Sequence, residues 1–130
     1  MNCAALTGIS PVVITELKKG KPRTLELHSA HNIITLTNIS PGEMIFLTDV
    51  DLDDLSNGDG GIMAEVLSVR VSMKRVIEYI NPIVYEERER MSARIQIRHV
   101  GSTYIKDVAG KEWFEPTSVD IVKSSCYHGH

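Results

Sequence analysis

From Ser92 to Val100 the chain alternates strictly. Ala93, Ile95 and Ile97 fall on one side, and Ser92, Arg94, Gln96 and Arg98 on the other. An extended strand sends successive side chains to opposite faces, so this pattern predicts a half-buried strand. Other β-type runs recur at close spacing: Ala4 to Ile9, Arg23 to His28, Ile33 to Ile39, Met44 to Val50 and Ile62 to Met73. Met44 to Val50 is almost continuously apolar, which suits a central strand. Ile62 to Met73 is the longest candidate, with a bulge expected near Ser68. Lys74 to Tyr79 reads as a short helix or as the continuing strand, and Asn81-Pro82 as a break. Glu86 to Arg90 reads as a solvated turn. Gly101-Ser102 is expected to turn the chain into a hairpin partner, Thr103 to Val108. Trp113-Phe114 and Val119 to Val122 supply two last short strands. One helix is expected, opening at Ser10-Pro11 and closing at Gly20, where a positive φ is needed. The predicted fold is α+β: a bent, mostly antiparallel, barrel-like sheet with one packed N-terminal helix. It forms a single domain over residues 1–122, with a polar tail at 123–130.

The 130 residues allow one core and are too few for two domains. Aromatic residues make up only 5%, so Ile, Val, Leu and Met must fill the interior. The formal charge of -3 argues against sequence-independent duplex binding, which depends on many phosphate contacts. No apolar run approaches a membrane span, so no membrane partner is expected. The N-terminus lacks the basic start and apolar stretch of a signal peptide, and a cytoplasmic location follows. Cys3 and Cys126 are then expected as reduced thiols. No cofactor is implied.

Against that acidic background, Lys18, Lys19, Lys21 and Arg23 crowd the corner where the helix hands over to the Arg23–His28 strand. Four cations at one turn point to an anion site. A second cationic group is the Arg94, Gln96, Arg98 stripe, with Arg70, Lys74 and Arg75 nearby; such a face can track phosphates, although Tyr104 is the one aromatic beside it. The acidic segment Asp49 to Gly61 departs from a calcium loop, with Asp54 at the required glycine and Gly60 at the terminal glutamate. Cys126, His128 and His130 alternate in the tail, but a fourth ligand is missing, so no metal site is predicted. Met44, Met63, Met73 and Met91 offer an adaptable apolar surface for a homodimer.

The order of elements from Ala4 to Met73 resembles the PUA-like group, in particular its ASCH branch. The matching residues are Gly20-Lys21-Pro22-Arg23-Thr24-Leu25-Glu26, the Pro41-Gly42-Glu43 turn before Met44-Ile45-Phe46-Leu47, and Gly60-Gly61 before Ile62-Met63-Ala64-Glu65-Val66. Glu43 stands where that branch usually has Asp, and His28 where it usually has Arg. The whole chain also resembles a small archaeal family of unknown function. The ASCH resemblance implies a cleft beside the helix that takes RNA or a nucleotide-like ligand. Lys18, Lys21, Arg23, Glu26 and His28 would line it, with Arg94 and Arg98 as outer contacts. A few ASCH members are small amidohydrolases acting on acylated cytidines, and their catalytic positions match Lys21, Thr24 and Glu65 here. An RNA- or nucleotide-anion-binding module using a basic cleft is therefore the leading expectation. Amide hydrolysis and a non-enzymatic homodimer are its rivals.

Overall fold

A computed structural model describes residues 1–112 and 115–122. The elements run β1 (Asn2–Leu6), α1 (Pro11–Leu17), β2 (Arg23–Leu27), α2 (Ala30–Leu36), β3 (Met44–Leu47), a 3-10 turn (Leu52–Asp54), β4 (Gly60–Tyr79), β5 (Tyr85–Ala109) and β6 (Ser118–Ile121). The strands form one mixed sheet in the order β2-β5-β4-β3-β1-β6, and β5 pairs again with β6. β1 and β3 run parallel, while every other pairing is antiparallel. The hydrogen bonds thus pass from β5 through β4, β3, β1 and β6 back to β5, and β2 hangs on the outside as an edge.

β3 lies between β1 and β4, as its apolar run predicts. Ile45 and Leu47 face one apolar cluster with Leu6, Leu17, Leu36, Ile62 and Ile97, whereas Phe46 faces a second with Ala5, Met63, Ile105 and Val119. A strand buried on both faces has no use for alternation. α1 begins with Pro11 in its first turn and ends where the Gly20 N–H donates to the Leu17 carbonyl, at φ 90°. The bulge expected near Ser68 is present, as a register shift between Val66 and Ser68.

Three expectations change. Ile33 to Ile39 is not a strand: Ala30–Leu36 is a second helix. Ile33 and Leu36, one turn apart, are buried in the core, and the Thr35 and Thr37 hydroxyls donate to the carbonyls of His31 and Ile34. Burial of that stripe outweighs the small helix penalty of β-branched residues. Gly101-Ser102 does not turn the chain either. β5 continues through it, and the pairing steps from Met63↔Gly101 to Ala64↔His99. An isolated glycine inside a strand marks such a bulge as readily as a turn. Glu86 to Arg90 is strand, paired residue for residue with Glu78 to Lys74. The hairpin closes instead at residues 80–84, where the Asn81 side-chain oxygen accepts from the Ile83 and Val84 amides at 2.9 Å each. Lys74 to Tyr79 continues β4, one of the two alternatives offered by the sequence. Finally, Leu52 and Leu55 anchor the acidic segment in the interior. The strand expected at Trp113-Phe114 and the tail with Cys126, His128 and His130 lie outside the described residues. No helix among the described residues is long and apolar enough to cross a membrane.

Candidate functional site

A broad concavity lies where four segments meet. These are the β1–α1 turn, the free edge of β2, the start of α2 and residues 51–53. It is an open cleft of about 790 Å³. That volume falls within the range of small-molecule sites. Its floor is built by hydrogen bonds from the residues just after β1, Thr7 to Ile9, to neighbouring segments. The buried Asn32 side chain accepts from the Thr7 amide at 3.1 Å and donates to the Thr7 carbonyl at 3.0 Å, acting as a short stand-in for a strand partner. The Gly8 and Ile9 amides donate to the carbonyls of Val50 and Thr48. Gly8 has φ 64°, and a Cβ there would sit 3.0 Å from an Asp51 carboxylate oxygen, so glycine is what lets the turn pass that close.

Two kinds of group face this space. Ile9, Val13, Leu25 and Leu27 are apolar, and Glu26, Asp51 and Asp53 carry carboxylates. His31 Nε2 is 2.7 Å from the Thr7 hydroxyl oxygen. Burial pushes the His31 imidazolium pKa below its ordinary value, and the charges of Asp53 and Asp51 oppose that shift without cancelling it. The ring is therefore neutral near pH 7 and can accept a proton or a hydrogen bond. Among the described residues no group of three or more His, Cys, Asp or Glu side chains is arranged to hold a metal ion.

The sequence-predicted residues divide. Thr24, Glu26 and His28 line the cleft. Lys21 and Arg23 do not, and Lys18 lines a smaller one of about 370 Å³ with Asp49, Ser102 and Tyr104. Arg23 pairs with Glu16, and Lys19 donates to the same carboxylate at 2.8 Å. Lys19 first, and Arg23 after it, hold the Glu16 carboxyl below its usual range. Thr24 lies opposite Gln96, and Glu65 opposite Arg98. Directly opposed residues share a face, so Thr24, Glu65, Arg94 and Arg98 stand on the outer side of the sheet. There Arg98 donates to Glu65 at 2.6 Å and Arg94 lies 4.0 Å from Glu26. No hydrogen bond joins Lys21 to Thr24 among the described residues. Thr7, His31, Asn32, Asp51 and Asp53 are not assigned to this site by the sequence, which places Asp51 and Asp53 only in the acidic segment. The available signal was Ser29 ahead of the Ile33/Leu36 spacing, an N-cap pattern that puts His31 and Asn32 in a first helical turn.

A pH dependence follows. His31 and His99 both have pKa values lowered mainly by burial, with Lys18 adding to the effect on His99. The unfolded chain then binds more protons than the folded one below the ordinary histidine range of about 6.5. Stability is expected to be flat above that pH and to fall as pH drops toward 5. Urea midpoints at pH 7.5, 6.5, 5.5 and 5.0 check this. Replacing both histidines with Asn should flatten the slope, and a wild-type midpoint that climbs toward pH 5 would contradict it.

The fold and cleft together define a small strand-dominated α+β protein with an open, carboxylate-rimmed cleft. Residues 1–119 match the family described as Protein of unknown function (DUF473), and the chain belongs to that family. It is also 30% identical over 101 residues to an uncharacterized protein, MJ0105, of Methanocaldococcus jannaschii. That match covers 78% of this chain and 62% of the relative, so the chain spans less than two thirds of the relative's length. No solved structure matches.

Proposed function

We propose that this chain is a binding module whose main cleft takes a small polar molecule rich in hydrogen-bond donors, such as a nucleoside or an amine. The observation that supports this reading is that Asp51 and Asp53 line, with Glu26 at the β2 edge, a cleft of about 790 Å³ that also has apolar lining. Carboxylates and a neutral imidazole accept hydrogen bonds, and the carboxylates repel a free phosphate. The return of β5 onto β6 supports the expected PUA-like barrel, whose ligands lie beside the helix, and we carry that relation as part of the same proposal. Ligand-observed NMR with cytidine, adenosine, spermidine and inorganic phosphate tests it. Cytidine, adenosine or spermidine is expected to bind, and phosphate is not. Asp51→Asn with Asp53→Asn, at two exposed lining positions, should weaken binding at least tenfold while moving Tm by less than about 3 °C, less than 1 kcal/mol in a chain this size. Binding that survives the Asp51/Asp53 double substitution, or none at millimolar ligand, removes the proposal.

A second reading, RNA or another polyanion, draws support from a different surface. Arg70, Lys74, Arg88, Arg90 and Arg94 share one face of the β4–β5 hairpin with Glu78 and Glu86. Cations along a ribbon suit a phosphate backbone. Filter binding of a single-stranded RNA oligonucleotide at low salt separates the two cationic regions. Arg70→Ala with Lys74→Ala should lower retention at least tenfold, and Lys21→Ala with Arg23→Ala reports on the helix-to-sheet corner. Wild-type chain that retains no RNA ends this reading. Amide hydrolysis by Lys21, Thr24 and Glu65 would require the Glu65–Arg98 pair to open first.

A further inference from the structure

From Ser72 and Ser92 onward the β4–β5 hairpin leaves the body of the protein as a two-stranded arm. It runs eight residue pairs to Tyr79↔Tyr85, about 25 Å at the usual rise per residue. Its two faces differ. One carries the basic row described above. The other carries Val71, Met73, Met91, Ile77, Tyr79 and Tyr85, and it continues the face on which Val69, Ala93 and Ile95 meet the core. These six large apolar side chains are 37% to 73% exposed. An isolated two-stranded ribbon is marginal in water, and an apolar row on one requires a cover.

The charges indicate what that cover is. The arm's ion pairs, Arg88 with Glu78 and Glu86 and Arg90 with Glu78, all lie on the basic face. On the apolar face, Arg75 lies opposite Glu89 and Glu87 lies opposite Ile77. None of these three charges makes an ion pair among the described residues. A cation and two carboxylates set in the middle of an apolar row form a patch complementary to itself under a twofold axis. In such an interface residue i meets j while j meets i. The six apolar side chains at their observed exposure offer roughly 500 Å². With the stems of Arg75 and the two glutamates this comes close to the about 800 Å² per partner of a standard interface.

We propose that the apolar face of the arm docks on the same face of a second copy, with Arg75 of each protomer against Glu87 or Glu89 of the other. This surface is separate from the cleft and does not depend on the ligand reading. Sedimentation equilibrium on the full chain, from 1 to 100 μM and free of nucleic acid, should give twice the 14.5 kDa chain mass at the upper concentrations. Met73→Glu with Met91→Lys keeps an attractive cross-strand pair, so the hairpin survives, yet puts charge into the interface; the dimer dissociation constant should rise at least 100-fold. Ser72→Lys with Ser92→Glu makes the same change on the opposite face and should leave the dimer intact. Arg75→Glu should weaken it at least tenfold, and adding Glu87→Arg should restore it. Circular dichroism confirms that each variant is folded. A wild-type monomer at 100 μM overturns the proposal, as does a dimer indifferent to the Met73/Met91 pair, or self-association that appears only with RNA bound.

Discussion

Gly61→Ala should be among the most damaging single-methyl changes in this protein, lowering stability by about 3 kcal/mol. A Cβ on Gly61 would lie 2.3 Å from the Leu47 carbonyl oxygen and 2.5 Å from Phe46 Cζ. Both obstacles are immobile. The carbonyl belongs to β3, and the Phe46 ring is fully buried against Met63, Ile105 and Val119. Relief requires either separating β3 from β4 or re-rotating Phe46 within a close-packed interior. The neighbouring Gly60 is the control: a Cβ there would be 3.7 Å from the Tyr104 ring, an ordinary contact. Gly60→Ala should therefore cost less than about 1 kcal/mol, in line with a change away from packed features. Thermal melts of the two variants, side by side, decide it. A loss of about 3 kcal/mol corresponds to a fall in Tm of roughly 10 °C in a chain of this size. Equal Tm values for the two would show that β3 and β4 are not packed as described.

Asn32→Asp should be nearly as costly at neutral pH, and its cost should depend on pH. The wild-type amide answers both the N–H and the carbonyl of Thr7. A carboxylate of the same shape keeps the first bond and sets a negative charge against the carbonyl at the second. Leaving a buried polar group unmatched costs about 1–3 kcal/mol, and more when it is charged. Burial and the facing carbonyl would raise the folded-state pKa of the new acid above its unfolded value. The neutral acid can donate to the Thr7 carbonyl, so the variant binds a proton more tightly when folded. Its deficit relative to wild type is then smallest below the unfolded carboxyl pKa and grows as pH rises through the folded one. Urea melts of both proteins at pH 4.5 and pH 7.5 should show a gap that widens with pH. A gap constant across that range would mean Asn32 does not face the Thr7 carbonyl.

The legibility of this fold followed the locality of its signals. The α1 boundaries could be read because Pro11 and Gly20 act through their own φ angles. The central placement of β3 could be read because a strand buried on both faces must be apolar throughout. α2 was misread because its β-branched run carries two overlapping periods, and only packing of Ile33 and Leu36 against the sheet chooses the helical one. Gly101-Ser102 was misread because bulge and turn share a local signal and differ only in the partner strand. At the site, Thr24, Glu26 and His28 were reachable because they follow one another along β2. Thr7, His31 and Asp51 were not. They come from three segments joined by hydrogen bonds between residues 24 or more positions apart and by the close approach of Gly8 to Asp51.

The cationic corner shows the same limit. Charge crowding at residues 18–23 is plain in the sequence, but Glu16 lies one helical turn before Lys19 and folds back onto Arg23. Short-range residue order settled by itself where the first helix starts and stops, which strand is central, and that one face of residues 92–100 must be dry. Tertiary structure alone decided that Glu86–Arg90 extends as strand, that Asn32 pairs with Thr7 just past β1, and that the cleft there is rimmed by carboxylates. The reason is physical: φ restrictions and side-chain period act within a few residues, while strand partners, ion-pair choice and concavity depend on which distant segments the core draws together.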